Sequence, residues 1–142
     1  VMLCWDEKKQ SLSYVGAGHE YILVYRAESG ECERLMSGGL ALGMVEDNSK
    51  MISEKDIPLS PGDFVVLYSD GIVEARNKAG ELFGLERLEQ LIVEYAASYG
   101  PEGVNYHIAT DVSVFMGNAE QLDDMTLIVA QRVSKLGDNE DK

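Results

Sequence analysis

Residues 63–75 read Asp63-Phe64-Val65-Val66-Leu67-Tyr68-Ser69-Asp70-Gly71-Ile72-Val73-Glu74-Ala75. The run from Phe64 to Tyr68 is apolar without alternation, which predicts a central strand covered on both faces. It opens after a Pro61-Gly62 corner and ends at Ser69-Asp70-Gly71. There a carboxylate is followed by a residue with no Cβ, so the backbone can turn sharply. Farther along, Asp123-Asp124-Met125-Thr126-Leu127-Ile128-Val129-Ala130 has the reverse order, carboxylates first and apolar run second. Met125–Ala130 is likewise expected to be a strand covered on both sides.

If these strands are antiparallel neighbours, the exit of one lies beside the entrance of the other. Asp70, Asp123 and Asp124 then converge at one rim of a sheet. Carboxylates held together repel, and they require a proton or a cation. A hard divalent ion with oxygen ligands, Mg²⁺ or Mn²⁺, suits them. Spacing alone leaves a plainer alternative open: Asp70 begins an ordinary turn and Asp123-Asp124 caps the last strand, since Asp-Gly turns are common.

Around this pair the chain falls into strands, then helices, then the last strand. Met2–Trp5, Leu12–Val15, Tyr21–Tyr25 and Cys32–Met36 are short, rich in β-formers and separated by turn residues. Residues 50–57 alternate loosely before Pro58. Trp5, Tyr14 and Tyr25 are expected in the sheet core. Leu85, Leu88, Leu91, Ile92 and Tyr95 form one helical stripe; Val104, Ile108, Val112 and Phe115 form a second, entered at Pro101 and ended at Gly117. Strands do not alternate with helices, so the class is α+β. One domain is expected over residues 1–133, followed by a loose polar tail over 134–142.

Of the 142 residues, 45% are apolar and 26% charged, the balance of a globular chain with a core. No apolar run reaches the ~18 residues that span a membrane. The formal charge of −13 excludes a phosphate-backbone partner, whose binding rests on Lys and Arg. Cys4 and Cys32 form neither a disulfide framework nor a zinc pattern, and both are read as reduced thiols of a cytoplasmic protein. The chain starts at Val1, inside a strand-like segment, which suggests a piece of something longer.

Several blocks together carry a family resemblance. Tyr68-Ser69-Asp70-Gly71-Ile72-Val73-Glu74-Ala75 resembles the Y-[ST]-D-G-[IV]-x-E-A block of the SpoIIE/RsbU-like branch of the PPM (PP2C-type) phosphatases, and Asp123-Asp124-Met125-Thr126-Leu127 resembles its D-D-[MI]-T-L block. Phe83-Gly84-Leu85-Glu86-Arg87-Leu88, Ala17-Gly18-His19, Leu42-Gly43 and Leu59-Ser60-Pro61-Gly62-Asp63 match further elements in the family's order, spanning residues 12 to 132. The resemblance implies a sandwich of two antiparallel sheets flanked by helices, here truncated on the amino-terminal side. It implies Asp70 and Asp123 as ligands of a two-metal Mn²⁺ or Mg²⁺ site. Asp124 would orient a ligand or water, and Gly71 would be the turn of close approach. The implied reaction is hydrolysis of phosphoserine or phosphothreonine by a metal-activated water. The implied substrate is a regulatory protein of the anti-anti-sigma type.

The chain also departs from the pattern. The family's first acidic block, Asp-x-Ser-Gly-His-Gly in type, is absent, so the isolated chain is expected to be incomplete and inactive. Gly16 stands where Asn often precedes the A-G-H element, and Glu20 where Pro often follows it. The missing block keeps a second reading in view, a non-catalytic phosphatase fold used for binding or dimerisation. A third is an ordinary α+β domain with coincidental Asp turns. Open sheet edges invite pairing with another chain, so a homodimer or strand exchange is expected.

Among other candidates, His19 either contacts substrate or orders the rim, against the plainer role of a turn residue bonded to backbone. Glu74 either braces the turn after Asp70 or is simply solvated. His107 is expected at the surface and Asp63 in the Pro61-Gly62 corner.

Overall fold

The computed structural model describes residues 1–47 and 49–134. Two antiparallel sheets face each other. The smaller contains β1 (Met2–Asp6), β2 (Ser11–Val15) and β5 (Glu54–Pro58), in the order β1-β2-β5. The larger contains β3 (Tyr21–Arg26), β4 (Glu31–Met36), β6 (Phe64–Tyr68) and β7 (Leu127–Gln131), in the order β4-β3-β6-β7. The β1–β2 hairpin turns at Asp6, whose carboxylate accepts from the amides of Lys8 and Lys9 at 2.9 and 3.0 Å. A side chain that satisfies its own turn in this way favours the bend over a continued ladder.

Side chains alternate across the larger sheet and split the core in two. Ile22, Val24 and Val65 face the smaller sheet and pack with Tyr14, Ile57 and Leu59. Leu23, Tyr25, Phe64, Val66 and Tyr68 face the other way, toward the helices. These are α2 (Leu85–Ala96) and α3 (Pro101–Met116), which bury Leu88, Ile92, Val104, Ile108 and Val112 against that face. Both expected stripes are therefore the buried stripes. Among the described residues both long helices lie on this one side of the sandwich.

Tyr68 pairs with Leu127 and Phe64 with Gln131, so β6 and β7 are antiparallel neighbours as the two apolar runs anticipated. β6 is buried on both faces. β7 is not: Ile128 is 52% exposed, and Ala130 is exposed with it. The three-strand sheet does not reach across the fourth strand of the larger one, so only the helix-facing side of β7, Leu127 and Val129, is packed. Trp5 also departs from its expected core position. It is 40% exposed, donates from Nε1 to Glu7 at 2.8 Å, and borders a cavity of about 460 Å³ beside Ala130 and Arg132. Tyr14 and Tyr25 are buried.

Asp63 does occupy the corner before β6, and it is buried. It accepts from the amides of Ser60 and Ala27 at 3.0 and 2.9 Å and from the Arg26 guanidinium at 3.1 Å. Gly16 is required where it stands. A side chain there would overlap the Ser37 and Gly38 carbonyls, so its departure from the family pattern fits the local packing. Cys4 and Cys32 are both free thiols. Apart from Ser134, the expected polar tail lies outside the described residues.

Candidate metal centre

At the end of β6 the chain does not make a simple turn. Asp70–Val73 form a single helical turn, α1, with Ser69 as its amino-terminal cap residue. The Asp70 carboxylate accepts from the Gly71 amide at 3.0 Å, and the Asp70 carbonyl accepts from the Glu74 amide at 2.8 Å. The bond to Glu74 is a backbone one that any residue there would make, and the Glu74 side chain is exposed. Opposite, the Asp123 carboxylate accepts from the Asp124 amide at 2.7 Å, and Gln121 holds the Asp123 carbonyl at 2.8 Å.

The two acidic turns meet through backbone. Gly71 is buried against the Asp124 carbonyl, and a Cβ at Gly71 would overlap it. Ser69 donates its hydroxyl to the Asp124 carbonyl and accepts from the Thr126 amide, both at 2.9 Å. The Ser69 amide donates to the Thr126 carbonyl at 3.0 Å, extending the β6–β7 ladder by one rung. Ser69 was not singled out from sequence, although it sits inside the Tyr68–Ala75 block that drew attention to Asp70.

The side chains do not follow the backbones. Asp70 opens into a cavity of about 320 Å³ shared with His19, Ser69 and Thr126. Asp123 opens into a separate one of about 140 Å³ shared with Gly71, Glu74, Arg76 and Glu120. Among the described residues, no three His, Cys, Asp or Glu side chains lie close enough to hold a metal ion. The expected convergence of three carboxylates into one ligand group is not found among the described residues: the turns meet through backbone, Asp70 and Asp123 border different cavities, and Asp124 borders neither of these two.

His19 is brought to the Asp70 side. Its Nε2 is buried and has no hydrogen-bond partner among the described residues, and burial pushes the imidazole below its usual value. Its backbone carbonyl accepts from the Ser37 hydroxyl. The bond to backbone that the plainer reading expected thus runs through the carbonyl, not the ring. His107 lies on α3, half-buried, stacked on Tyr95 with 4.9 Å between ring centroids and tilted against Tyr99 at 4.4 Å.

The donor chemistry fits a hard divalent cation in kind. Asp70 and Asp123 are exposed carboxylates at one sheet end, and Mg²⁺ commonly takes only one or two protein carboxylates and keeps several waters. Gly71 keeps the space between the turns clear of a side chain.

The chain resembles known proteins over nearly its whole length. It is 34% identical over 130 residues to the phosphoserine phosphatase RsbU of Bacillus subtilis, covering 90% of this chain and 37% of that protein. It is 31% identical over 128 residues to Protein IcfG of Synechocystis sp., covering 89% of this chain and 19% of that protein. The chain thus spans well under half of the curated relatives it matches. Among solved structures, the SiaA-PP2C domain of Pseudomonas aeruginosa superposes with a TM-score of 0.72 at 19% identity, over 93% of this chain and 50% of that one. The manganese-presoaked phosphatase domain of SpoIIE from Bacillus subtilis superposes with a TM-score of 0.68 at 15% identity, over 94% and 56%. At those identities the structures establish the fold, a two-sheet PP2C-type sandwich of which this chain forms part. The family model described as Stage II sporulation protein E (SpoIIE) matches residues 1–133, and the chain belongs to that family, within the RsbU-like branch of the PPM phosphatases.

Proposed function

We propose that residues 1–133 are the carboxy-terminal part of a metal-dependent phosphatase domain. It removes phosphate from phosphoserine or phosphothreonine on a regulatory protein of the anti-anti-sigma type. One observation carries the reading: Ser69 and Gly71 lock two acidic turns together at the open end of adjacent strands. An isolated Asp-Gly turn has no need of a buried glycine pressed on a second acidic turn. The name of the RsbU relative supports the phosphoserine substrate.

In this reading Asp70 and Asp123 would be protein ligands of a Mn²⁺ or Mg²⁺ site. When bound, the cation supplies Lewis-acid activation of a water and of the phosphoryl oxygens. Asp124 holds the Asp123 carboxylate through its amide. Gly71 permits the approach of the turns, Glu74 fixes the α1 turn, and His19 orders the rim on the Asp70 side. The remaining ligands come from outside these residues, so this chain by itself is inactive. A cytoplasmic location follows for such a substrate; among the described residues, no helix is long and apolar enough to cross a membrane. A second copy of the chain is a further partner, pairing at the open edge of β1 or β7. A monomeric mass by light scattering at high concentration would count against that pairing.

The test is Mn²⁺-dependent hydrolysis of an aryl phosphate by this chain and by a version extended upstream, each with an Asp70→Asn control. Turnover by the extended protein, abolished by Asp70→Asn, is the expected result. Turnover that survives Asp70→Asn would refute the mechanism. The lack of a three-ligand group among the described residues favours one alternative, a non-catalytic fold used for binding. It predicts no turnover from either version even when Mn²⁺ binds.

A further inference from the structure

The rim is strongly acidic, and a phosphorylated side chain brings a charge near −2 at neutral pH. Glu74, Glu120 and Asp123 border the small cavity on the far side of the seam, so a phosphoryl group there meets negative charge that a cationic side chain would help to offset. Arg76 borders the same cavity.

The other arginines are committed elsewhere. Arg26 bonds to Glu33 and Asp63, and Arg34 to Glu86 and Glu89. Arg87 lies over the rings of Phe83 and Phe115, and Arg132 bonds to the Leu59 carbonyl. Arg76 forms no ion pair among the described residues; its guanidinium makes one long hydrogen bond, to the Gly80 carbonyl at 3.3 Å.

The segment carrying Arg76 is built rigidly. Arg76 bridges Leu82 across a small antiparallel loop. Asn77 closes that loop by accepting from the amides of Ala79 and Glu81 at 2.9 and 3.1 Å and donating to the Glu81 carboxylate at 2.6 Å. The Phe83 and Gly84 amides tie its return to the Ala75 and Val73 carbonyls at 2.8 and 2.9 Å. The Asp123 cavity shares Met116 with a cavity of about 480 Å³ lined also by Phe115, Asn77, Lys78 and Asn118. Arg76 and Lys78 therefore border neighbouring cavities that have Met116 in common.

We propose that Arg76 is a positioning residue that binds the phosphoryl oxygens of the substrate on the Asp123 side of the seam. The neighbouring cavity takes the polypeptide flanking the phosphorylated residue, with Lys78 facing acidic neighbours in that polypeptide. The planar guanidinium suits this task because it matches phosphate oxygens two at a time, which a lysine cannot do. This rests on the phosphatase reading above, and the test separates the two.

Inorganic phosphate is titrated into the protein and followed by NMR, with Arg76→Ala, Arg76→Lys and Lys78→Ala alongside. Mn²⁺ affinity is measured on each by calorimetry, and circular dichroism checks the fold. Expected are at least a tenfold loss of phosphate affinity in Arg76→Ala, partial recovery in Arg76→Lys and unchanged Mn²⁺ affinity in both. Lys78→Ala should keep phosphate affinity and weaken only a phosphoserine peptide with acidic neighbours. In the extended, active protein, Arg76→Ala should raise KM for that peptide by tenfold or more. Phosphate affinity within twofold of wild type in folded Arg76→Ala, or no phosphate binding by the wild type, overturns the proposal. Loss of phosphate binding in a protein that never shows turnover keeps the proposal and discards the phosphatase reading.

Discussion

The Ser69 hydroxyl donates to the Asp124 carbonyl at 2.9 Å and in the same position accepts from the Thr126 amide at 2.9 Å. One side chain thus spans from the end of β6 to the start of β7 and fixes the spacing of the two acidic turns. Ser69→Ala removes both bonds at a partly exposed position. A net loss of about 1 kcal/mol is expected, within the usual worth of such bonds. Urea unfolding checks that magnitude. Ser69→Thr, which keeps a hydroxyl, should recover part of it.

Gly71 carries a different constraint. Any side chain there meets the Asp124 carbonyl, a backbone atom that cannot rotate away. Gly71→Ala should destabilise by roughly 1–3 kcal/mol, the range for overpacking a tight site. It should also weaken Mn²⁺ binding by displacing the turns. Gly100→Ala is the control, since a Cβ at Gly100 meets nothing within 4 Å and its φ of −74° is open to any residue. Equal unfolding midpoints for the two variants would contradict the close approach.

Asp63 predicts a pH dependence. Burial alone raises a carboxyl pKa, but here the Ser60 and Ala27 amides and the Arg26 guanidinium outweigh it and hold Asp63 below its usual value. A pKa depressed in the folded state contributes stability that is present above the unfolded value of about 4. That stability is lost as pH falls through the folded value. Asp63→Asn should cost about 3 kcal/mol at pH 7, since it leaves Arg26 without its buried partner. The gap between variant and wild type should narrow toward pH 2 in urea titrations.

The two thiols should react differently. Cys4 is exposed on β1. Cys32 is half-buried on β4; burial, and then the charge of Glu89, pushes its thiol up to about 12. The thiolate is the reactive form, so iodoacetamide at pH 8 should label Cys4 well before Cys32. Peptide mapping of a time course distinguishes the sites. Equal rates would mean that β4 opens readily.

Sequence by itself determined the strand and helix stripes, the antiparallel neighbourhood of β6 and β7, and the family. Alternation, apolar runs and ordered motifs are local properties, and they survive folding unchanged. It also placed Asp70 and Asp123 at one end of the sheet, because strand direction fixes where a turn lies. Which way a carboxylate opens from that turn was decided only in three dimensions. Gly71 presses on Asp124, and the carboxylates border separate cavities. The exposure of Ile128 has a similar cause. An apolar run predicts a strand with cover on both faces, but cover depends on how many strands the facing sheet has, and three do not shield four. Trp5 is half-open for the same reason, beside the uncovered end of β7. The buried Nε2 of His19 and the guanidinium of Arg76, which has a hydrogen bond to Gly80 but no ion pair among the described residues, belong to this second class. A residue's identity states what it can bind, and only its neighbours in space state what is left for it to bind.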